Sequence, residues 1–302
     1  MLSIIVCSRN SKLNPDFINN INNTIGIDYE LICIDNSENK YTIFSAYNEG
    51  LKQTKYKNLC FLHDDVYFET PDWGKKIMIH LRTPNVGLLG MAGGDAAFRV
   101  PYDWTALNPS VNIQHEDKNI VGSAELVFAP KNYANALRSV VMLDGVMLCA
   151  KREVFEIIKF DESLGSFHGY DFDISLQLTF AGYNNYVMYD ISLIHFSHGI
   201  MDATYFQTMV NVFKKWEKHL PIFEHNISLE ERKNCIPQVE KQRLNKLLKR
   251  MVRARMNMSE IAEIYVYYTK LIGTKIEIFL LLFIRLRIIL IYITSVFRNK
   301  MN

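Results

Sequence analysis

The chain contains the stretch Asn58-Leu-Cys-Phe-Leu-His-Asp-Asp-Val-Tyr-Phe68, in which an apolar run ends in two adjacent carboxylates. Four consecutive apolar residues, 59–62, are typical of a short strand that is buried on both faces of a parallel sheet. Holding the like charges of Asp64 and Asp65 side by side is costly, and a divalent cation would relieve that cost. Carboxylate and diphosphate oxygens are ligands that Mg²⁺ and Mn²⁺ accept. The pair therefore indicates a metal-diphosphate site, with an acidic loop start or helix cap as the alternative.

Two further apolar runs end in polar residues in the same way. The runs Leu2-Ser-Ile-Ile-Val-Cys-Ser-Arg-Asn10 and Tyr29-Glu-Leu-Ile-Cys-Ile-Asp-Asn-Ser37 flank residues 15–25, where apolar side chains recur at helical spacing. This order predicts an α/β fold whose ligands bind at the carboxyl ends of the strands. No glycine-rich phosphate loop of the usual kinds is present in the sequence, which argues against nucleotide binding through one. The residues expected at the ligand-binding edge are Ser8, Arg9, Asp35 and Asp65.

Several short motifs follow one another in an order and spacing that resemble a known family. The chain is similar to a family 2 glycosyltransferase of the GT-A fold over roughly its first two-thirds. Within that family it most resembles the branch of the glycosyltransferase domain associated with streptomycin biosynthesis. The motifs are Ser3-Ile-Ile-Val-Cys-Ser-Arg-Asn10, Ile34-Asp-Asn-Ser37, Ala46-Tyr-Asn-Glu-Gly50, Phe61-Leu-His-Asp-Asp65, Asp144-Gly-Val-Met-Leu-Cys-Ala-Lys-Arg152 and Gly169-Tyr-Asp-Phe-Asp-Ile-Ser-Leu176.

The resemblance implies a binding site for a nucleoside diphosphate sugar, the donor, together with Mn²⁺ or Mg²⁺. It makes Asp35 the carboxylate that reads the nucleotide base and Asp65 the metal ligand, with Asp64 contacting the ribose or the metal shell. Asn48 lies in a motif on the donor side. The sequence departs from the family pattern at His63, where many relatives have an acid.

The segment Gly165-Ser-Phe-His-Gly-Tyr-Asp-Phe-Asp173 supplies a second acidic cluster. An inverting sugar transfer needs a base that takes the proton of the acceptor hydroxyl. In the family this base lies in a Glu-Asp pair, and Tyr170 stands at the Glu position, so Asp171 is the predicted base. Asp173 is expected to stabilise the start of a helix. The resemblance places Asp144, Gly145, His168 and Tyr170 on the acceptor side, with structural roles as the alternative for Asp144 and His168.

Two histidines follow a further predicted strand in Ser192-Leu-Ile-His-Phe-Ser-His-Gly199. The family often places a histidine here that reaches the metal or the diphosphate. His195 follows the strand directly and aligns best with that position, whereas His198 lies in the turn before Gly199. Both are candidate metal ligands, and the sequence does not choose between them.

Composition limits the class and the location of the protein. A chain of 302 residues is long enough for a full α/β domain and an appended region. The five cysteines are scattered, and four lie in strand-like apolar runs, which indicates reduced buried thiols. The first residues form a core strand without the basic and apolar regions of a signal peptide, so we expect a cytoplasmic enzyme.

Residues 241–255 contain seven basic side chains and no acid. Leucine, methionine and valine interleave with them at helical spacing, which predicts a basic amphipathic helix. Three interpretations compete: a solvated helix packed on the core, binding to anionic lipid, and binding to nucleic acid. The basic residues are Lys241, Arg243, Lys246, Lys249, Arg250, Arg253 and Arg255.

Residues 276–297 are mostly Ile, Leu and Phe but include Glu277, Arg285 and Arg287, and their longest uncharged stretch has ten residues. A membrane-spanning helix needs about 20 mostly apolar residues. The favourable insertion energy of the apolar side chains, about −7 kcal/mol, is offset by a cost of similar size for the charges. We therefore expect an interfacial or re-entrant anchor on the cytoplasmic leaflet, rather than nucleic-acid binding. Burial against a second copy, as a homodimer, is the alternative.

Together these patterns predict a GT-A domain over residues 1–220, with a mixed, mostly parallel sheet flanked by helices, and a helical region over residues 221–302. The predicted activity is metal-dependent, inverting transfer of a sugar to a hydroxyl acceptor, a surface glycan or lipid-linked glycan, at the inner face of the cell membrane. A fold does not fix a function. A non-catalytic module that binds glycan or nucleotide sugar and a nucleotidyltransferase on the same fold remain the alternatives.

Overall fold

A computed structural model describes residues 1–115, 136–165, 167–197 and 199–275 of the chain. The strands are β1 (Leu2–Ser8), β2 (Tyr29–Asp35), β3 (Asn58–Leu62), β4 (Val66–Phe68), β5 (Val86–Gly90), β6 (Ala92–Gly94), β7 (Ala96–Ala97), β8 (Ser110–Val111), β9 (Ile113–His115), β10 (Leu137–Val140), β11 (Met142–Leu143), β12 (Met147–Lys151), β13 (Asn184–Met188), β14 (Leu193–His195) and β15 (Ile222–Phe223). The helices are α1 (Pro15–Thr24), α2 (Ile43–Gln53), α3 (Trp73–His80), α4 (Val154–Ile157), α5 (Tyr170–Phe180), α6 (Ala203–Trp216), α7 (Leu229–Arg253) and α8 (Met258–Leu271).

The central sheet has seven strands in the order β10-β13-β5-β12-β3-β1-β2. Strand β1 pairs in parallel with β2 and β3, and β5 pairs in parallel with β13. Strands β12 and β10 run antiparallel to their neighbours. The predicted mixed, mostly parallel sheet is confirmed. Because β1, β2 and β3 are parallel neighbours, their carboxyl ends meet at one edge.

The first strand-helix-strand unit forms where the sequence predicts it. Strand β1 is buried at nearly every position, as expected for a strand covered on both faces. Helix α1 begins at Pro15, whose missing N–H needs no partner in the first turn. The Asn14 side chain caps this helix by accepting a hydrogen bond from the amide of Asp16.

A buried group of aromatic rings joins α2, β3 and α5. The ring of Tyr47 lies 4.9 Å from Phe61, 5.3 Å from Phe160 and 5.4 Å from Tyr170, measured between ring centroids. Edge-to-face and tilted contacts of this kind stabilise a core beyond the area that they bury. They fix the first residue of α5, Tyr170, against the end of β3.

Helices α6, α7 and α8 pack together through their apolar faces. The predicted stripe of α7 is buried, and it lies in one cluster with Phe206 and Val210 of α6 and with Ile261 and Tyr265 of α8. The interpretation of a helix packed on the core therefore holds for this stripe. The stripe residues are Leu244, Leu247, Leu248, Met251 and Val252.

The seven basic residues of 241–255 divide into two groups. The guanidinium groups of Arg243 and Arg250 lie over the ring of Tyr102, at 3.9 and 4.9 Å from its centroid. The others, Lys241, Lys246, Lys249, Arg253 and Arg255, are exposed, and Arg255 lies just beyond the end of α7 with a φ of 57°.

Among the described residues, no helix combines the length and the apolar character that a membrane crossing requires. The apolar segment 276–297 lies outside the described residues, so its predicted role as an anchor or a dimer contact stays a prediction.

Candidate active site

Three side chains with metal-binding atoms meet beyond the end of β3. His63 and Asp65 follow that strand, and the pairing of β14 with β4 places His195 opposite Val66. Atom Nε2 of His195 lies 3.2 Å from Oδ1 of Asp65 and 3.3 Å from Nδ1 of His63. The candidate ligand atoms all lie within 4.8 Å of one another. The structure thus brings the predicted residues Asp65 and His195 together and adds His63.

The protonation of these groups suits a metal site. Burial alone would raise the pKa of Asp65, but hydrogen bonds from His195 and Ser197 hold that pKa below its ordinary value. Burial, followed by the charge of His195, lowers the pKa of His63. An ionised carboxylate and a neutral imidazole are the forms that bind metals.

Tyr170 orients the imidazole of His63. Its hydroxyl donates to the carbonyl of Gly145 over 2.9 Å and lies 3.0 Å from Nε2 of His63. Because this hydroxyl proton is used on Gly145, Nε2 of His63 is the donor to the tyrosine oxygen. Atom Nδ1 then keeps its lone pair toward Asp65 and His195. A Cβ on Gly145 would lie 2.1 Å from the tyrosine oxygen, so this contact requires glycine.

The predicted donor-side residues line the ends of β1, β2 and β3. Ser8 and Asp35 are register partners at the ends of their strands. The Ser8 hydroxyl donates to Oδ2 of Asp64 over 2.5 Å, which fixes that carboxylate. Hydrogen bonds from Ser37 hold the pKa of Asp35 below its ordinary value, so this exposed side chain is an ionised acceptor.

Arg9 and Asn48 differ in their surroundings. The exposed guanidinium of Arg9 lies 5.5 Å from the centroid of the Phe167 ring, so it connects the end of β1 to the loop before α5. The Asn48 side chain donates to the Phe160 carbonyl over 2.9 Å and to Glu162 over 2.8 Å. These contacts favour a structural role for Asn48, and its donor-binding role stays a prediction.

A second acidic cluster contains Asp171 and Asp144. Burial, and then the charge of Asp144, raises the pKa of Asp171 to about 8. The amide of Phe172 donates to Oδ1 of Asp171 over 3.0 Å. Asp144 accepts from the amide of Val146 over 3.0 Å and from the indole N–H of Trp104 over 2.9 Å. A carboxylate with a pKa near neutrality is suited to general base catalysis.

Two further rings lie beside this acidic cluster. The rings of His168 and Tyr205 are in edge-to-face contact at 5.1 Å. Burial, followed by the charges of Asp103 and Asp171, raises the pKa of Tyr205 well above its ordinary value. Burial lowers the pKa of His168. These rings place α6 at the edge of the predicted acceptor side.

Asp173 has structural partners. Its side chain is buried and accepts hydrogen bonds from the indole of Trp216 over 2.8 Å and from Gln177 over 2.7 Å. Nζ of Lys215 forms an ion pair with it at 2.9 Å. These contacts tie the first turn of α5 to α6. The separation of Asp171 from Asp173 into different environments favours Asp171 as the base.

Sequence reasoning missed the part played by His63 and could not choose between the later histidines. The sequence signal for His63 was its position in the acidic motif, where an imidazole replaces the carboxylate that the family pattern leads one to expect. His198 lies outside the described residues, so its predicted metal role stays a prediction.

The sequence of this chain matches a known protein family. The profile of a family described as "Glycosyltransferase like family" matches residues 3–218, which is more than half of the chain. A comparison with curated proteins returned no match.

Solved structures show the fold. The mannosyltransferase PcManGT from Pyrobaculum calidifontis, in complex with GDP-Man and Mn²⁺, has a TM-score of 0.52 and 13% identity, covering 87% of this chain and 75% of its own. GalNAc-T7 with UDP, GalNAc and Mn²⁺ has a TM-score of 0.51 and 12% identity, covering 80% of this chain. This chain spans about half of the GalNAc-T7 structure, 54%. Identities this low establish a shared fold and leave the substrates open.

The streptomycin-related branch stays a prediction, because the family match does not separate branches. The match over residues 3–218 and the GT-A fold of the structural neighbours agree with the order of elements around the site. The chain therefore belongs to the glycosyltransferase-like family and has the GT-A fold.

Proposed function

We propose that this protein is an inverting glycosyltransferase that moves a sugar from a nucleoside diphosphate sugar to a hydroxyl group of a glycan acceptor. The observation that carries the proposal is the place of the buried Asp171 directly after Tyr170 at the start of α5, where burial raises the pKa of its carboxyl to about 8. It adjoins Tyr170, whose hydroxyl contacts the metal-binding cluster through His63. The proposed base therefore follows directly the residue that contacts the proposed metal site.

The residues around Asp65 fit a divalent metal ion. Two imidazoles and one carboxylate suit Mn²⁺ better than Mg²⁺, which prefers a shell made entirely of oxygen atoms. PcManGT and GalNAc-T7 were both solved with Mn²⁺. When bound, such an ion supplies positive charge for the leaving diphosphate. His63, Asp65 and His195 would hold it, with Tyr170 fixing the ring of His63.

The remaining donor-side residues hold the nucleotide. Asp35 offers an exposed, ionised carboxylate at the end of β2, which suits the N–H groups of a base or the hydroxyls of a ribose. Asp64 is fixed by Ser8 and faces the same edge. Arg9 carries an exposed guanidinium, which suits a phosphate.

Asp171 acts on the acceptor. As the acceptor oxygen forms its bond to the anomeric carbon, the bond from that carbon to the diphosphate oxygen breaks with its electron pair. The hydroxyl proton passes to a carboxylate oxygen of Asp171, so charge and atoms balance.

A panel of nucleoside diphosphates, with and without Mn²⁺, tests the donor assignment. We expect one nucleotide to raise the melting temperature only with Mn²⁺, because ligand at 100 times its Kd stabilises a fold by about 2.7 kcal/mol. The matching nucleotide sugars should then release free sugar slowly. The variant Asp28→Ala, at an exposed carboxylate before β2, should behave as the wild type. Selective binding without sugar release would instead indicate a non-catalytic binding module, and transfer of the nucleotide itself would indicate a nucleotidyltransferase.

We further propose that α7 brings the enzyme to an anionic membrane at the inner face of the cell membrane, where a lipid-linked acceptor in surface glycan assembly would lie. The five exposed basic residues of 241–255 are unaffected by the burial of the apolar stripe. Each basic residue near an anionic surface contributes about 1 kcal/mol. Docking is therefore electrostatic, with the apolar side of α7 packed inside the protein.

Replacing Lys241, Lys246, Lys249 and Arg253 with glutamine should weaken binding to anionic vesicles by about 10²-fold or more. Co-sedimentation with phosphatidylserine and phosphatidylcholine vesicles at two salt concentrations measures this. Replacing the exposed Lys233 of α7 should have a much smaller effect. Equal binding to both lipids at both salts would contradict the proposal. A dimer that binds no vesicles would favour burial against a second copy.

A further inference from the structure

The segment between β7 and a 3₁₀ turn over Trp104–Ala106 connects helix α7 to the acceptor side. It carries Tyr102 and Asp103, followed directly by Trp104. The indole of Trp104 donates to Asp144, the residue before Gly145, and the carbonyl of Gly145 accepts from the hydroxyl of Tyr170, the neighbour of Asp171. The position of this segment therefore sets the surface next to the proposed base.

Helix α7 holds the segment by two kinds of contact. Nη1 of Arg250 donates to Oδ2 of Asp103 over 3.0 Å, and the Asp103 side chain is largely buried. The planes of Arg243 and Arg250 lie over Tyr102, with the ammonium group of Lys246 5.7 Å from the same ring. A charge-assisted hydrogen bond and stacked guanidinium groups are directional contacts, which a lysine reproduces only in part.

A small pocket marks where the two elements meet. It is lined by Tyr102, Asp103 and Arg250 together with Tyr205 and Met209 of α6. The ring of Tyr205, which lines this pocket with Arg250, is also in edge-to-face contact with the ring of His168 at 5.1 Å. Arg250 is therefore close to the acceptor side although α7 lies after the residues matched by the family profile.

We propose that Arg250 is a positioning residue for the acceptor: through Asp103 and Tyr102 it holds Trp104 against Asp144, beside Asp171. The proposal rests on the proposed function, because it takes that region as the acceptor side. An indole fixed beside a carboxylate gives a sugar both an apolar face and a hydrogen-bond acceptor. Loss of the Arg250 contact should loosen this surface and leave the donor side unchanged.

Hydrogen exchange of the amides in residues 100–107 tests the contact directly. In Arg250→Ala these amides should exchange about tenfold faster, because the segment loses its ion pair and a stacking partner. Arg250→Lys should restore part of the protection by keeping the charge. Outside Thr105, whose amide donates to Oδ1 of Asp103, the double variant Asp103→Ala/Arg250→Ala should exchange no faster than Arg250→Ala, since both changes break the same ion pair. Lys233→Ala, at an exposed lysine on the same helix, is the control and should match the wild type.

Kinetic measurements test whether the loss of the Arg250 contact weakens acceptor binding. With octyl glycosides of glucose, galactose and N-acetylglucosamine as acceptors, Arg250→Ala should raise the acceptor KM about tenfold. Hydrolysis of the donor and Mn²⁺-dependent nucleotide binding should not change. Exchange at the wild-type rate in Arg250→Ala, or parallel loss of donor hydrolysis and transfer, would overturn the positioning role. Faster exchange in Arg250→Ala, together with a wild type that transfers to none of these glycosides, would support the contact of Arg250 with residues 100–107 and count against the acceptor side of the proposed function.

Discussion

Replacing Asp171 with asparagine is expected to lower sugar transfer by about 10²- to 10⁴-fold, because the amide cannot take the proton of the acceptor hydroxyl. The same change should raise the melting temperature. The ordinary pKa of an aspartate is 3.8, and burial raises the pKa of Asp171 to about 8. Between these two pH values the folded protein keeps a proton on Asp171 that the unfolded chain has lost. Folding stability attributable to this group therefore falls as the pH rises through that range. The stabilisation of Asp171→Asn over the wild type should be larger at pH 8 than at pH 4.

Asp173→Asn is the matched control for Asp171→Asn, since both residues lie in the first turn of α5. Asp173 is buried in an ion pair with Lys215, so its replacement should lower the melting temperature. Each kcal/mol corresponds to about 2–4 °C in a protein of this kind. Transfer by the wild type should rise with pH up to about 8, where Asp171 becomes ionised. An active Asp171→Asn and an inactive Asp173→Asn would reverse the assignment of the base.

Replacing Asp65 with alanine should abolish Mn²⁺-dependent nucleotide binding and sugar transfer. This residue supplies the carboxylate of the cluster, and His63 and His195 alone leave an incomplete set of ligands. The fold should remain, because Asp65 lies after β3 and outside its pairing with β1. Isothermal titration with nucleotide, with and without Mn²⁺, measures the loss, and thermal unfolding measures the fold.

Two controls sharpen the test of the metal site. Asp28→Ala removes an exposed carboxylate away from the cluster and should bind nucleotide as the wild type does. Tyr170→Phe removes the hydroxyl that orients His63, and changes to such supporting groups typically weaken metal binding by about 10- to 100-fold. Full wild-type activity in EDTA would contradict a role for a divalent metal.

The sequence predicted the first half of the fold well because the signals there are local. Apolar runs of strand length and the helical spacing in residues 15–25 each depend on near neighbours in the chain. The expected meeting of Ser8, Asp35 and Asp65 at one edge follows from parallel pairing alone. The position of antiparallel β12 between β3 and β5 depends on contacts between distant parts of the chain, and the sequence does not show it.

The site was predicted less completely. The sequence indicated Asp65 and Asp171 as functional carboxylates, but not the environment that separates Asp171 from Asp173. That difference comes from Asp144 on one side and from Lys215 on the other. His63 was noted only as a departure from the family pattern, since its contact with Tyr170 joins residues far apart in sequence.

The sequence pattern of α7 also predicted its local structure better than its contacts with other parts of the chain. The spacing of basic and apolar residues over 241–255 predicted a helix and its buried stripe, although α7 begins earlier, at Leu229, and ends at Arg253. It could not show that Arg243 and Arg250 lie on Tyr102, because periodicity identifies a face and not the partner of that face.

The short strand β15 has a practical consequence for truncated proteins. It pairs with β7, and α7 with α8 covers Phe206 and Val210, so residues on both sides of position 220 share one core. A gene fragment that ends with the family-matched region would produce a chain with a bare strand edge and a bare apolar helix face. Such a chain is prone to aggregate during expression. The low yield of folded protein would then be mistaken for a lack of enzymatic activity. Expression of this family member should therefore extend through Leu271 at least.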